Sequence, residues 1–478
     1  FKQKTAYEML RSLVGSEMCI RDRHYSGACG RDAAACWIIE YGKTMISTQQ
    51  RVVAQGRLWN RNFLLLWSGQ LVSQFGTQAY SIAILFWLKD MTGSATLIGT
   101  LLMVVGIVSA ALGPFGGAIV DRYSRRDIIA LSDLIGGLAI LSLAALIFLF
   151  PEATTLSLVG LFVISILLTI LGAAFEPAIT AIIPDLVPTP RVQAANSFME
   201  IALRIATFVG QGLGGLLLGI LGAPLMMVIN AGSFLLAAGG EALITPPPRA
   251  TPPRRAWRQQ VRSFLTDTLE GFRYIWQHSG LRALALASAI SGALVMPILV
   301  LMPFYVEDYL GRGADWYGYL VAAYGFGGLL GALIAGVLPL NGWKRAVFAI
   351  GAMVVEAVGY MALGYASPFL VLACAPVIGA TGGLLSIIVV TLVQLSTPAD
   401  LRGRVFAMLG TLAASISPLA AGLTGVIADL TGQNIPVIFL GCGVLLLIVA
   451  VVVAFNSDVR RLLVQIIEQE TDAIPARP

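Results

Sequence analysis

Amide side chains recur at helical spacing within an otherwise apolar stretch of the sequence. Gln70, Gln74 and Gln78 follow one another at intervals of four residues, and residues four apart lie on one face of a helix. Polar groups are costly in hydrocarbon, so they usually face a bundle interior or a wet cavity. The three glutamines could therefore hydrogen-bond a substrate in a cavity, or they could join packed helices to one another.

A second apolar stretch carries charged groups as well as hydrogen-bonding ones. Glu200 and Arg204 stand four residues apart, and Thr207 and Gln211 follow further along the same stretch. A carboxylate and a guanidinium at this spacing form an ion pair along a helix. The pair could bind substrate directly, although a charge that already has a partner also suits a structural role.

Three further carboxylates could gate the cavity or carry protons. Asp133 lies one or two turns into an apolar run, and Glu176 closes another run just before Pro177. Both are expected near the cytoplasmic surface, as gating partners or as proton carriers. Glu356 is the most membrane-central carboxylate, where it could couple to protons or hydrogen-bond a neighbouring helix. Gln394 adds an amide to a later run.

The polar residues above belong to predicted membrane-spanning helices. Hydrophobic residues make up 57% of the 478 positions and charged residues 12%, far from the roughly 25% charged residues of soluble domains. Apolar runs of the ~20 residues that a helix needs to cross a bilayer recur along the chain. They are continuous rather than alternating, which favours helices over strands. We predict an all-α polytopic membrane protein with twelve transmembrane helices, at 63–88, 94–120, 128–150, 155–176, 195–220, 223–244, 283–306, 316–339, 345–365, 368–393, 405–428 and 434–455.

The distribution of lysine and arginine predicts the orientation. With the amino terminus inside, nearly all the cations after residue 44 lie in inner segments, and the outer loops hold only Lys89 and Arg312. The positive-inside rule therefore places both termini in the cytoplasm. We expect a multi-pass protein of a bacterial-type inner membrane.

The longest connection divides the twelve spans into two sets of six. It runs from 245 to 282 and combines a proline-rich part with an amphipathic part, whose apolar residues recur at helical spacing. The amphipathic part predicts an interfacial helix, and the prolines could form a solvated linker. The predicted domains are an N-terminal six-helix bundle (45–244), the linker (245–282), a C-terminal six-helix bundle (283–455) and a cytoplasmic tail (456–478).

Residues 1–44 contain no apolar span. Their first 23 residues match, almost letter for letter, a translated sequencing adapter, so we interpret 1–44 as a non-native leader and Met45 as the native start. A genuine disordered tail is the alternative. Three of the five cysteines lie in this leader, and the sequence predicts no disulfide framework and no metal site.

Two acids and three arginines fall between the second and third spans. Gly117 is followed by Asp121 four residues on, and then by Arg122, Arg125 and Arg126. After the eighth span, Gly336 is followed by Lys344 and Arg345 at the offsets of Arg125 and Arg126, while Leu340 replaces the acid. This repeat suggests twofold internal homology.

At this point the chain resembles the major facilitator superfamily, whose cytoplasmic loop after the second span reads Gly-x-x-x-Asp-Arg-x-Gly-Arg-Arg. Within it, the chain is similar to the branch that holds macrolide-efflux proteins and the enterobactin exporter. The segments that carry this likeness are LIGT (97–100), SDLIGG (132–137), AFEPAITAIIPDLVP (174–188), AANS (194–197), GLGGLLLG (212–219) and LRGRVFAML (401–409).

The resemblance implies a role for the charged loop. A carboxylate at an inner helix end can pair with arginines and with the amide-rich start of a helix from the other half. In the family, Asp121 and its arginines would stabilise the state closed to the cytoplasm. Lys344, Arg345, Arg402 and Arg404 would belong to the same gating motif. The alternative is that the arginines only set the topology.

The function expected from these features is secondary active export by alternating access. The substrate would be a small amphipathic organic compound of the drug, macrolide or siderophore class. A proton gradient would drive its export, and no cofactor is expected. A lipid-flipping transporter and a non-transporting membrane sensor remain alternatives. An enzyme is disfavoured because, outside the leader, His278 is the only histidine. We expect a monomer that binds lipid and a small molecule but no nucleic acid.

Overall fold

The computed structural model describes residues 58–245, 257–338, 342–399 and 401–465. All regular elements in these ranges are helical. The predicted leader, the arm that follows it, the proline-rich part of the linker, Leu340 and the end of the tail lie outside the described residues.

Five long helices form the first half of the described chain. They are α1 (Arg61–Thr92), α2 (Ala95–Val120), α3 (Arg125–Leu149), α4 (Thr154–Leu186) and the continuous helix Val192–Ala242. The linker contains α7 (Trp257–Gln277). The second half consists of α8 (Ser279–Phe304), α9 (Ala314–Val337), α10 (Trp343–Leu363), α11 (Pro368–Ser396), α12 (Arg402–Leu430), α13 (Ile435–Phe455) and the short α14 (Ser457–Gln465).

The helix Val192–Ala242 contains two membrane crossings. Its 51 residues would span about 77 Å at ~1.5 Å per residue, more than twice the ~30 Å of hydrocarbon. Gly222 breaks it with φ 72° and ψ 160°, a conformation that glycine adopts without steric cost. We name the parts before and after Gly222 α5 and α6. The 11 described helices long and apolar enough to cross a membrane therefore provide the twelve predicted crossings.

One predicted boundary was wrong. The fourth span was expected to end at Glu176, because Pro177 follows, but α4 continues through Pro177 and Pro184 to Leu186. Neighbouring helices can compensate for the hydrogen bond that a proline removes. Glu176 thus lies about 15 Å from the end of α4, at ~1.5 Å per residue, and not at the helix end.

Glycines let neighbouring helices approach closely in both halves. In the first half, Gly76 of α1 packs against Ser233 of α6, and Gly210 of α5 packs against Phe75 of α1. In the second half, Gly331 of α9 packs against the backbone of α11. Small residues are typical of such membrane packing.

The two halves meet between the middle of the membrane and one of its faces. We call the face at which α1 begins the amino-terminal face and the other one the opposite face. Near the opposite face, Gly99 of α2 packs against Gly425 of α12, and Gly215 of α5 packs against Ala314 of α9. Further into the membrane, Gly106 of α2 packs against Pro418 of α12.

Toward the amino-terminal face, α2 and α12 have open space beside their glycines. Among the described residues, no atom of a neighbouring element would lie within 4 Å of a Cβ added at four positions, namely Gly113, Gly117, Gly403 and Gly410. The contact between α2 and α12 is therefore close at the opposite face and open at the amino-terminal face.

The linker helix α7 packs against the start of α12. Gly271 lies against the backbone of Arg404, and Ile275 is buried. Leu269, Phe272 and Trp276 remain exposed, as an interfacial helix requires. Contact with lipid itself stays a prediction.

Candidate functional site

A polar cavity lies between α1, α4 and α5. Its volume is about 210 Å³, and the lining combines aliphatic groups with amides, a hydroxyl and two carboxylates. Four of the residues predicted to line a cavity or to couple to protons come together here, joined by Thr180 and Asn196. The polar lining consists of Gln70, Gln74, Glu176, Thr180, Asn196 and Glu200.

Glu200 and Arg204 form the predicted ion pair beside this cavity. Arg204 Nη2 lies 2.7 Å from Glu200 Oε1. The Arg204 side chain is 67% exposed and the Glu200 side chain is 54% exposed. Exposed charges within a membrane span are expected to face a wet cavity and not lipid. The pair therefore has access to a ligand in the cavity, although its role remains a prediction.

Gln78 and Gln211 join α1 to α5 on the side of this cavity that is nearer to the opposite face. Gln211 Nε2 donates to Gln78 Oε1 at 2.7 Å, and both residues are half-buried. Thr207, one turn away on α5, is half-buried as well. The hydrogen bond fits the helix-joining interpretation of Gln78, while Gln70 and Gln74 reach the cavity.

Gln70 also contacts a buried acid that the sequence analysis missed. Its Nε2 donates to Glu241 Oε1 of α6 at 3.0 Å. Glu241 and Asp133 of α3 are both fully buried, and they lie close enough for their charges to interact. Asp133 is therefore enclosed within the first half, about two turns from the start of α3, and its expected place near the cytoplasmic surface stays a prediction. Glu241 could have been found from the sequence, because it is an acid within the apolar run that forms α6.

The second half contributes an apolar cavity and few charges. A cavity of about 330 Å³ between α8, α11 and α12 is lined by aliphatic and aromatic side chains, including Leu284, Val389 and Phe406. Gln394 lies exposed near the end of α11. Glu356 of α10 is half-buried and accepts a long hydrogen bond, 3.4 Å, from Tyr360 of its own helix. It is not among the residues that line either cavity.

The charged loop after α2 is fastened to its own half. Arg125 Nη1 donates to Asp185 Oδ2 of α4 at 2.7 Å, and Arg126 donates to the carbonyl of Ala242 at the end of α6. Asp121 directly follows α2 and donates its N–H to the carbonyl of Gly117 at 3.1 Å. Arg122 is exposed beside it.

The remaining residues of the predicted gating motif lie at the starts of α10 and α12. Lys344 is exposed and Arg345 is buried. Arg402 Nε donates to the carbonyl of Thr397 at 3.1 Å. Arg404 pairs with Asp267, at 3.0 Å, and with Glu270, both on α7. In this structure the start of α12 is therefore bound to the linker helix.

Two groups of polar contacts, around Lys89 and around Asp429, close the opposite face. Lys89 at the end of α1 pairs with Glu307 and Asp308 after α8. Asp429 of α12 accepts hydrogen bonds from the start of α2: Ser94 Oγ at 2.7 Å and the N–H groups of Ala95 and Thr96 at 3.0 and 2.9 Å. A carboxylate is favoured at a helix N-terminus. The sequence analysis did not single out either contact.

The likeness to solved structures and known proteins agrees with this architecture. A bacterial homologue of the iron transporter ferroportin in an inward-facing state superposes with a TM-score of 0.66 at 15% identity, over 83% of this chain and 99% of that chain. The nucleoside transporter NupG gives a TM-score of 0.61 at 13% identity, over 81% and 97%. The fold is thus that of a helical membrane transporter.

Residues 66–422 match the Major Facilitator Superfamily, and the chain belongs to this family. Macrolide efflux protein A of Streptococcus pyogenes is 25% identical over 412 residues, 84% of this chain and 98% of that protein. Multidrug efflux pump Tap of Mycolicibacterium fortuitum is 29% identical over 323 residues, 66% of this chain and 75% of that protein. The fold and these relatives indicate a transporter and not an enzyme.

Proposed function

We propose that this chain exports a small amphipathic organic compound by alternating access, in exchange for protons. The observation that carries the proposal is the half-polar, half-apolar cavity between α1, α4 and α5, with the Glu200–Arg204 ion pair beside it. Amides and an ion pair can orient a polar group, while the aliphatic lining accepts an apolar one. The names of the efflux relatives support the direction of transport.

In this mechanism the structure represents the state that is closed at the opposite face. Substrate would enter from the amino-terminal face, which the cation distribution predicts to be cytoplasmic. Release would require the Asp429 and Lys89 contacts to break. Asp121 and the arginines of its loop would then stabilise closure of the amino-terminal face against the start of α12, as the resemblance implies. Both termini would stay in the cytoplasm throughout.

Transport into sealed vesicles tests the proposal. Full-length protein in proteoliposomes should move a cationic dye (ethidium) or a macrolide (erythromycin) faster when a proton gradient is imposed, and a protonophore should remove the difference. Protein-free vesicles give the background rate. A transport rate that is the same with and without the gradient would exclude proton coupling. If no compound in a broad antibiotic and dye panel is transported, drug export is excluded.

A lipid substrate is the second candidate, favoured by the apolar cavity of about 330 Å³ in the second half. A lysophospholipid would place its chain against residues such as Leu284, Val389 and Phe406. The same vesicles can carry a fluorescent lysophospholipid in one leaflet. Dithionite quenching then measures whether the protein moves this lipid to the other leaflet, which distinguishes lipid transport from drug export.

A further inference from the structure

Two acids that do not line the polar cavity are enclosed within the first half. Asp133 of α3 is 1% exposed and Glu241 of α6 is 0% exposed. One turn beyond Asp133, Gly137 packs against Ala231 and Leu235 of α6, which brings the two helices together. Gly69 of α1 packs against Ala237 of α6 from the other side. The acids therefore lie where α1, α3 and α6 meet.

Each acid has an oxygen that no hydrogen bond satisfies. Gln70 donates to Glu241 Oε1, but Glu241 Oε2 and Asp133 Oδ2 are buried without a partner among the described residues. Burying an ionised carboxylate costs several kcal/mol unless donors and counter-charges compensate. A proton on one carboxyl removes one negative charge and supplies an O–H donor to the other, so this pair is built to hold a proton.

Several titratable groups lie on the helices that pack around the pair. Glu241 is the group whose charge acts on Asp133, and Gln70 is the hydrogen-bonding group on Glu241. Among the nearby cations, Arg125 pairs with Asp185, while Arg126 bonds to the Ala242 carbonyl and lies 3.9 Å from Asp127. The other titratable groups of the surrounding helices are Arg61, Tyr80, Lys89 and Asp90 on α1, Asp127 on α3, Glu176 on α4, and Glu200 and Arg204 on α5.

Gln70 links this pair to the cavity. The same side chain that donates to Glu241 also lines the cavity with Gln74, Glu176 and Glu200. Gln70 is thus in contact with both the cavity and the buried carboxyl of Glu241. Rotation of one side chain would open a path for a proton between them.

We propose that Asp133 and Glu241 together form the proton-binding site of this transporter, filled and emptied from the cavity past Gln70. A hydronium ion in the cavity gives its proton to a carboxylate oxygen of the pair; one O–H bond forms, one breaks, and water remains. The charge of the pair changes from −2 to −1. The inference rests on the proposed proton-coupled transport and names its coupling residues.

Infrared spectroscopy of the protein in lipid vesicles tests the site without any substrate. The difference spectra of wild type minus Glu241→Gln and wild type minus Asp133→Asn should both show a protonated-carboxyl C=O band, because each variant loses it. That band should give way to carboxylate bands as the pH rises, and it should shift in D₂O. Glu152→Gln, a change in an exposed loop, should leave it in place. Thermal unfolding checks that each variant is folded.

Two infrared results would overturn the site. Carboxylate bands alone at every pH would mean that the pair holds no proton. A protonated band that persists to the highest pH at which the protein is folded would mean that the proton is structural and never leaves. Gln70→Leu should slow the D₂O shift of the band, whereas an unchanged rate would exclude the route past Gln70.

Transport then connects the site to coupling. Ethidium or erythromycin flux in Glu241→Gln and Asp133→Asn vesicles should no longer respond to an imposed proton gradient, while exchange of labelled for unlabelled compound across the membrane continues. A gradient response equal to that of wild type would exclude the pair. If wild type itself shows no gradient response, the proposed function fails, and the infrared titration still decides whether the pair binds a proton.

Discussion

The ends of α2 and α12 carry an aspartate in equivalent places, at opposite faces of the membrane. Asp429, the penultimate residue of α12, binds the start of α2 through three hydrogen bonds. Asp121 directly follows α2, but here the start of α12 is held by α7 through Arg404. The two aspartates suggest the same kind of contact at each face, namely an aspartate at one helix end against the start of a helix from the other half. In this structure the contact at the opposite face is formed.

The glycines of α2 and α12 show the same difference. At the opposite face Gly99 and Gly425 are in close contact across the two halves, whereas Gly117 and Gly403 have open space beside them among the described residues. Helices that cross closely at one end and separate at the other can rock about the crossing. We infer that Asp429 and Asp121 act in alternation, each closing one face.

Asp429→Ala should give the largest effect. It removes three hydrogen bonds to a carboxylate at a helix start, which together favour the closed opposite face by about 3 kcal/mol. The ratio of molecules closed at this face to molecules open at it should then fall by about 100-fold. Spin labels at Pro151 and Tyr365, in loops of the two halves on this face, would report a longer distance by electron–electron double resonance.

Asp315→Asn is the matched control for this variant, because Asp315 is an aspartate of the same face in the first turn of α9. Its label distances should equal those of wild type. An unchanged distance distribution in Asp429→Ala would show that Asp429 does not close this face.

Lys89→Met should have the next largest effect on the same distance. It leaves Glu307 and Asp308 without their cation, and Asp308 is 56% exposed. We therefore expect a loss of about 1–2 kcal/mol from the closed state, between the values for surface and buried pairs. In a double-mutant cycle, adding Glu307→Gln to Lys89→Met should cost less than Glu307→Gln alone, and strict additivity would contradict the ion pair.

The double variant Asp267→Asn/Glu270→Gln should have the smallest effect and the opposite sign. The ion pairs of these acids with Arg404 are about half-exposed, so they are worth under about 1 kcal/mol. Their loss frees the start of α12, with Arg404 intact, to meet Asp121 and should shorten the distance between labels at Arg191 and Ala399 on the amino-terminal face. Arg273→Gln, an exposed change on α7, serves as the control, and a longer distance in the double variant would contradict this prediction.

Much of the fold follows from the sequence because hydrocarbon thickness fixes the length of an apolar run. The run that contains Gly222 was correctly divided into two crossings, since no single helix of that length fits a bilayer. The end of α4 was misplaced because Pro177 breaks isolated helices, whereas helix packing in a membrane tolerates it.

The candidate site was only partly predictable. Helical spacing brought out Gln70, Gln74 and Glu200, which do share a cavity with Glu176. Glu241 and Asp429 were missed because each is a single acid near a helix end, and its partners lie more than 100 residues away in the chain. Such pairings depend on which helices become neighbours, and spacing within one helix does not contain that information.

One experiment would show whether the two faces close in alternation. Distances between Pro151 and Tyr365 on the opposite face and between Arg191 and Ala399 on the amino-terminal face would be measured in wild type and in Asp429→Ala. We predict that the first distance lengthens while the second shortens, and that adding Asp121→Ala reverses the shortening. A longer first distance with an unchanged second distance would show that the two faces do not close in alternation.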